Sequence, residues 1–372
     1  MRYRRTRIEI ESPEQLGYHT IENNLAESSF TDMCLADYGI DGDVAHVLLP
    51  YGDHLGAPHL RELIADGGLS PNEVLVTAGA AAALFIIATT LLQRGTHALV
   101  CAPNYATNLE TPRAIDADLE TIELRFEDGW QLDLDDVARR LRPETRLVSV
   151  TYPHNPTGSM LTRDELERLV FLVESHPTAL LLVDETYREL AYDEPLPMAT
   201  TLSTRVLAAS SMSKTYGLPG LRVGWLTCRD PQLMELFLAA KEQIFICGAV
   251  LDEELTARVL EQRAHVLARI REKTRRHQEI VRSWIEDHEL FEWVEPRAGV
   301  VCFPRLRPDT GPDLDRFYRA LLNDHGTYVG PGWWFDHDPH CFRLGFAWPT
   351  EQQLRNGLQA LDAAARDATH RL

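Results

Sequence analysis

Short apolar runs recur through the middle of the chain, separated by stretches with helical spacing. Val74-Leu75-Val76-Thr77, Ala98-Leu99-Val100-Cys101, Leu119 to Leu124, Arg146 to Thr151, Ala179 to Val183 and Val206 to Ala209 read as buried strands. Between them the pattern predicts helices. One runs from the Gly-Ala stretch after Thr77 to Gln93 and stops at Gly95, one spans Leu132 to Leu141, and one opens at Thr162. Strand–helix alternation from 74 to 227 predicts an α/β fold with a doubly wound, mostly parallel sheet.

The rhythm changes at Asp230. Met234 to Ile246 reads as one helix and Leu251 to His288 as a single long one, with a Lys/Arg cluster at 269–276 on its solvated face. Phe291 to Val294, Val300 to Phe303 and Cys341 to Phe346 then read as strands, and Asp313 to Leu322 and Thr350 to Ala364 as helices. Val329 to Phe335 reads as a loop toward the cleft. The expected organisation is an N-terminal segment (1–45, polar and irregular), a large domain (46–270) and a smaller α+β domain (271–372).

Composition narrows the partners. A formal charge of −19 argues against a nucleic-acid backbone or an anionic membrane. No apolar run reaches a membrane span, because Ala80 to Leu92 ends at Gln93-Arg94, and no apolar signal core follows the basic Met1 to Arg5. Cys34, Cys101, Cys228, Cys247, Cys302 and Cys341 show no paired spacing. They read as reduced thiols of a cytoplasmic protein, without disulfides and without a metal site.

Candidate chemistry centres on Lys214. It follows an apolar strand and sits in a stretch too rich in Ser, Gly and Pro for a regular helix. A lysine desolvated beside a buried strand loses its charge easily and becomes a nucleophile for an aldehyde. Arg222 is a permanent cation whose fork suits a phosphate, and Ser211 adds a hydroxyl. Amine and phosphate ligands together match the two ends of pyridoxal 5'-phosphate. Gly79, Ala80 and Ala81 open a helix straight after a strand, where unpartnered N–H groups and the helix dipole favour an anion. Asp184 ends the most apolar strand, where a carboxylate is costly unless it is paired or caps a helix. Arg343 lies inside the apolar run Phe342 to Phe346, so it needs an anion, from a distant Asp/Glu or from a substrate carboxylate. Gly79, Tyr105, Asn155, Asp184 and Ser211 all follow strands, and ligands of such sheets lie beyond the strands' carboxyl ends.

Ser211-Met212-Ser213-Lys214, followed by Gly217, Gly220, Arg222 and Val223-Gly224, resembles the cofactor-lysine signature of class I/II aminotransferases, the fold-type I pyridoxal phosphate enzymes. The resemblance runs from about Leu25 to Pro349 with the motifs in order. It implies pyridoxal phosphate on Lys214. Gly79, Ala80, Ala81, Ser211 and Arg222 would hold the phosphate. Tyr105 would stack on the ring, Asn155 and Tyr187 would bond the ring oxygen, and Asp184 would pair with the ring nitrogen. Arg343 would hold the substrate carboxylate, with Asn155 beside it. Tyr51, in Tyr51-Gly52-Asp53-His54-Leu55-Gly56, would reach the phosphate of the other subunit, implying a homodimer. The chain departs from the pattern at Asn23 to Ser29, which lacks the family's Gly and Pro.

The implied activity is amino transfer between an L-amino acid and a 2-oxo acid. An alternative is a lyase or cyclase of the capreomycidine synthase branch, acting on a hydroxyarginine-like amino acid. The stretches Ala298 to Arg305 and Arg343 to Phe346 support that branch, and Glu27 or Glu22 would hold the guanidinium. Trp333, Trp334, Phe245 and residues 22–29 are further candidates for the side-chain pocket. A DNA-binding regulator on the same fold is disfavoured, since only about 45 residues precede the core, with no helix-turn-helix pattern, and the chain is strongly negative.

Overall fold

The computed structural model describes residues 1–286 and 288–369. The chain opens with two short helices, α1 (Arg7–Glu11) and α2 (Pro13–Leu16), where the polar composition predicts an irregular segment. The backbone N–H of Thr6 donates to Glu9 Oε2 (2.8 Å), which fixes the first turn of α1. Pro13 opens α2 at the position where a missing N–H costs nothing. A two-residue strand β1 (Asn23–Asn24) and helix α3 (Pro58–Ala65) follow.

The central sheet is built from β2 (Val74–Thr77), β3 (His97–Ala102), β4 (Asp118–Glu123), β5 (Thr145–Thr151), β6 (Leu180–Asp184), β7 (Val206–Ser211) and β8 (Gly224–Cys228). Interleaved are α4 (Gly79–Leu91), α5 (Ala106–Ile115), α6 (Leu134–Arg140) and α7 (Arg163–Glu174). Strand order is β2-β8-β7-β6-β5-β3-β4, and only β8 runs against its neighbours. Both faces are covered, so the strands are apolar on alternate sides. Leu181 and Val183 of β6 pack in one core cluster with Leu166 and Leu169 of α7. Leu182 packs in another with Ile86 and Ile87 of α4.

Helices α8 (Pro231–Ile244), α9 (Val250–Glu261) and α10 (Arg263–Ile285) follow. The long helix expected over Leu251 to His288 is therefore two. Gln262 leaves helical geometry (φ −106°, ψ 21°), and its amide donates to the Tyr38 carbonyl at 2.7 Å. The C-terminal part holds β9 (Phe291–Glu292), β10 (Val301–Cys302), β11 (Arg305–Leu306), α11 (Leu314–Asn323), β12 (Thr327–Tyr328), β13 (Gly330–Pro331), β14 (Phe342–Gly345) and α12 (Glu351–Thr369). The expected loop at Val329 to Phe335 is instead β13 and one 3-10 turn, Gly332–Phe335.

Residues 23–27 are stitched to this C-terminal part. β1 pairs with β12, and Gly345 N–H donates to the Leu25 carbonyl at 2.7 Å. Glycine is needed there, because a Cβ at 345 would lie 1.8 Å from the Glu27 carbonyl oxygen. All six cysteines are free. Among the described residues no helix is long and apolar enough to cross a membrane.

Candidate active site

A cavity of about 340 Å³ opens beyond the carboxyl ends of β5, β6 and β7, where the doubly wound sheet places its ligands. Lys214 lines it three residues after β7. The Lys214 carbonyl is fixed by the Phe30 N–H (2.8 Å), while its amine has no hydrogen-bond partner among the described residues. Burial lowers the Lys214 pKa from the ordinary lysine range; Glu27 pulls it up and Arg343 adds to the depression. This is the environment a nucleophilic amine requires.

One end of the cavity is an anion cradle. Helix α4 starts at Gly79 with no side-chain cap, so its first N–H groups stay available. Gly79 has φ +76°, and a Cβ there would lie 2.7 Å from Arg222 Nη2. Arg222 Nη1 donates to the Pro219 carbonyl (2.8 Å), and no carboxylate pairs with this guanidinium among the described residues. Ala80, Ala81, Ser211 and Ser213 line the same end. Thr77 and Ser211 are both register partners of Gly224, so one row of the sheet spaces the cradle walls. Gly224 stands in the lysine signature, but the sequence offers no physical reason for a glycine there. Its Cβ would lie 2.4 Å from the Gly79 carbonyl carbon, a tertiary constraint that no local pattern announces.

Asp184, the last residue of β6, is buried in the cavity floor. Its Oδ1 accepts from the Thr186 N–H (3.1 Å) and hydroxyl (2.6 Å). Burial raises its pKa above the usual carboxylate range, against these hydrogen bonds and the Lys214 charge. No cation bonds it among the described residues, so a ligand cation is the partner its burial calls for. Tyr105 lines the wall, its N–H held by Asn104 Oδ1 at 2.7 Å. Tyr187 is buried, and its hydroxyl donates to the Ser28 carbonyl (2.6 Å). An aldehyde-bearing, phosphorylated, protonated heteroaromatic ring fits this set: an amine, an uncapped helix with a free guanidinium, a flat aromatic and a buried carboxylate.

The opposite wall carries Arg343. It is buried on β14, its Nη1 donates to Asn155 Oδ1 (3.2 Å) and its Nη2 to the Ala26 carbonyl (2.7 Å). Its Nε has no partner, and no carboxylate pairs with it. Of the two anions left open for it, the distant Asp/Glu is absent among the described residues.

Other candidates fall differently. Glu27 lines the cavity and accepts from the Tyr18 hydroxyl at 3.0 Å. Glu22 is exposed beside Gly326, outside the cavity, because β1 turns its neighbours inward. Phe245 and Trp333 do not line it; Trp334 does. Tyr51 is 83% exposed and away from this cavity. Sequence reasoning missed the contribution of α1 and α2: Ile8, Glu9, Ser12, Pro13 and Glu14 form part of the wall. The helix signals were present in Thr6…Glu9 and Pro13, but nothing local says which surface those helices cover.

The aminotransferase class I and II family model matches residues 35–361. Capreomycidine synthase from Streptomyces vinaceus is 32% identical over 317 residues, 83% of this chain and 79% of that relative. Arginine–pyruvate transaminase from Pseudomonas aeruginosa is 29% identical over 297 residues, 76% of this chain and 74% of that relative. The solved structure of a PLP-dependent cyclase, OrfR, superposes with a TM-score of 0.90 at 28% identity, covering 99% of this chain and 98% of that one. With a doubly wound sheet, a buried amine and a phosphate cradle of matching chemistry, the chain belongs to the class I and II aminotransferase family, and pyridoxal 5'-phosphate is its cofactor.

Proposed function

We propose that this protein transfers the amino group of an L-amino acid with a cationic side chain to a 2-oxo acid. The observation that carries this is Arg343, a buried guanidinium without an anion in the same cavity as Lys214. A substrate carboxylate there would gain a charge-assisted pair in a site already desolvated. It would also fix the α-carbon relative to the Lys214 amine.

When bound, the cofactor supplies an electron sink for the bond broken at that carbon. Lys214 would hold its aldehyde in the resting enzyme, and its amine, once displaced by the substrate amine, would take and return the proton at the α-carbon. Asp184 would hold a protonated ring nitrogen, and Tyr105 would supply a flat apolar face for the ring. Gly79, Ala80, Ala81, Ser211 and Arg222 hold the phosphate. A cationic side chain is supported by Glu9, Glu14 and Glu27 on the cavity wall, and by the likeness to an arginine–pyruvate transaminase.

A second reading shares every residue and differs only in outcome: elimination and ring closure on a hydroxylated arginine. The likenesses to capreomycidine synthase and to a PLP-dependent cyclase favour it. A panel of amino acids, including arginine and β-hydroxyarginine, assayed with and without pyruvate or 2-oxoglutarate separates the two. Turnover that stops without the acceptor supports transfer; sustained turnover without it overturns transfer in favour of the cyclase.

The working unit in this reading is a homodimer. Leu48, Leu49 and Tyr51 are exposed, as are Ile244 and Ile246, and the two segments that carry them meet where His54 Nδ1 bonds Glu242 Oε1 (2.5 Å). An apolar patch of this kind marks a contact surface. It would carry Tyr51 to the partner's cavity.

A further inference from the structure

Helices α1 and α2 belong to the cavity wall, yet they are short and cannot hold their place through their own hydrogen bonds. Their tether is Glu11. Its Oε2 accepts from Trp333 Nε1 and from Trp334 Nε1, each at 2.8 Å, and its carbonyl accepts from the Tyr328 hydroxyl at 2.8 Å. Two adjacent indoles of one 3-10 turn therefore grip a single carboxylate oxygen. Both indoles are themselves fixed. Trp333 packs edge-on to Tyr318 (ring centroids 4.7 Å apart) and Trp334 edge-on to Tyr328 (5.8 Å). Trp334 also lies beside Arg343, whose guanidinium carbon is 5.8 Å from its ring.

The residues after the tether face the cavity. Ser12 is buried, and its hydroxyl has no partner among the described residues although it lines the cavity. An unpaired hydroxyl in such a place is costly unless a ligand group or water satisfies it. Glu14 lines the same wall without a salt bridge or side-chain hydrogen bond of its own, close enough to act on the charges of both Lys214 and Arg343.

We propose that Ser12 and Glu14 read the far end of the substrate side chain, and that Glu11 is the positioning residue that sets them through its grip on Trp333 and Trp334. This rests on the proposed reading of the cavity as an amino-acid site. The Glu11 tether predicts a graded result. Glu11→Gln keeps a carbonyl oxygen able to accept from both indoles; Glu11→Ala removes it.

The experiment uses the full-length, cofactor-loaded protein and whichever donor turns over best in the amino-acid panel. Cofactor affinity is measured by absorbance titration, and kcat and KM are measured separately. With Glu11→Ala, KM for the donor rises about tenfold or more, while cofactor affinity and kcat change less than about threefold. Glu11→Gln restores most of the loss. A KM unchanged by Glu11→Ala, or no rescue by the Gln variant, overturns the positioning role. Glu14→Gln, which removes no internal contact, lowers the preference for arginine over citrulline about tenfold; an unchanged preference overturns the reading role. If no cationic donor is used at all, the reading of the substrate class fails, while the Glu11 comparison still stands on the donor that is used.

Discussion

Lys214 and Asp184 respond to the same burial in opposite directions, and each is drawn toward its neutral form. In the proposed reading the cofactor would reverse that at Asp184 by offering a cation, and would use the neutral amine at Lys214. Hydride reduction of protein loaded with pyridoxal phosphate should leave a pyridoxyl group on Lys214. Lys214→Ala should leave none and lose activity by about a thousandfold or more, read by peptide mass mapping and single-turnover rates. These two residues were legible because their motifs are local: a strand end, then a lysine eight residues before an arginine. Glu185 was not. It lies beside Asp184, but its burial follows from Ala199, whose N–H donates to its Oε1 at 2.5 Å. Burial pushes the Glu185 carboxyl up to about 7. Above its unfolded value the native state holds the extra proton, so folding stability contributed here is present at low pH and is lost as pH rises toward 7. Glu185→Gln should therefore gain stability relative to the parent by roughly 2–3 kcal/mol more at pH 8 than at pH 5, measured by denaturant unfolding at both.

Among the elements, α4 shows how a helix terminus becomes a binding surface. The apolar run and the Gly-Ala start announce the helix, and its uncapped first turn follows from the absence of a capping side chain at Ala78. Gly79 must take a left-handed φ with the Arg222 guanidinium against its Cα, so Gly79→Ala combines backbone strain with a clash. We expect cofactor affinity to fall about 10-fold to 100-fold, by absorbance titration, with the far-UV spectrum retained. By contrast, the break between α9 and α10 was invisible. Apolar spacing continues across Gln262, and only the Tyr38 carbonyl, 224 residues away in sequence, draws its side chain out of register. The central strands read well for a simpler reason: both sheet faces are covered, so β2, β3, β6 and β7 are largely apolar runs, while the edge strand β4 mixes polar and apolar residues. The edges of the smaller C-terminal strands, two to four residues long, were set by pairing partners and not by their own residues.

At the scale of the molecule, the order of cavity-lining residues along the large sheet was readable, because sheet topology fixes where strand ends converge. For the first 45 residues, the sequence predicts a segment joining the smaller domain and the active site through residues 22–29; the part played by residues 7–16 was not readable. The capping signals at Thr6, Glu9 and Pro13 are local, but nothing in the stretch says that α1 and α2 will line the cavity, nor that Glu11 will meet two indoles more than 300 residues away. That Leu48, Leu49, Tyr51, Ile244 and Ile246 are left exposed is likewise set by the tertiary structure. Sedimentation should show a dimer, and Leu49→Asp combined with Ile246→Asp should give a monomer that binds the cofactor at least about tenfold more weakly, because Tyr51 no longer reaches across.

The single antiparallel strand, β8, has a lasting effect. Because it lies between β2 and β7, one rung of the sheet ties Gly224 to Thr77 on one side and to Ser211 on the other. The width of the cradle proposed for the phosphate is thus set by the spacing between adjacent strands of the sheet. The wall formed by α1 and α2 is held by side-chain contacts, among them the Glu11 carboxylate on two indoles, the Tyr328 hydroxyl on the Glu11 carbonyl, and Ile8 against the core. Descendants of this gene could therefore retune what they accept by altering a handful of residues near the amino end, while the coenzyme seat stays as it is.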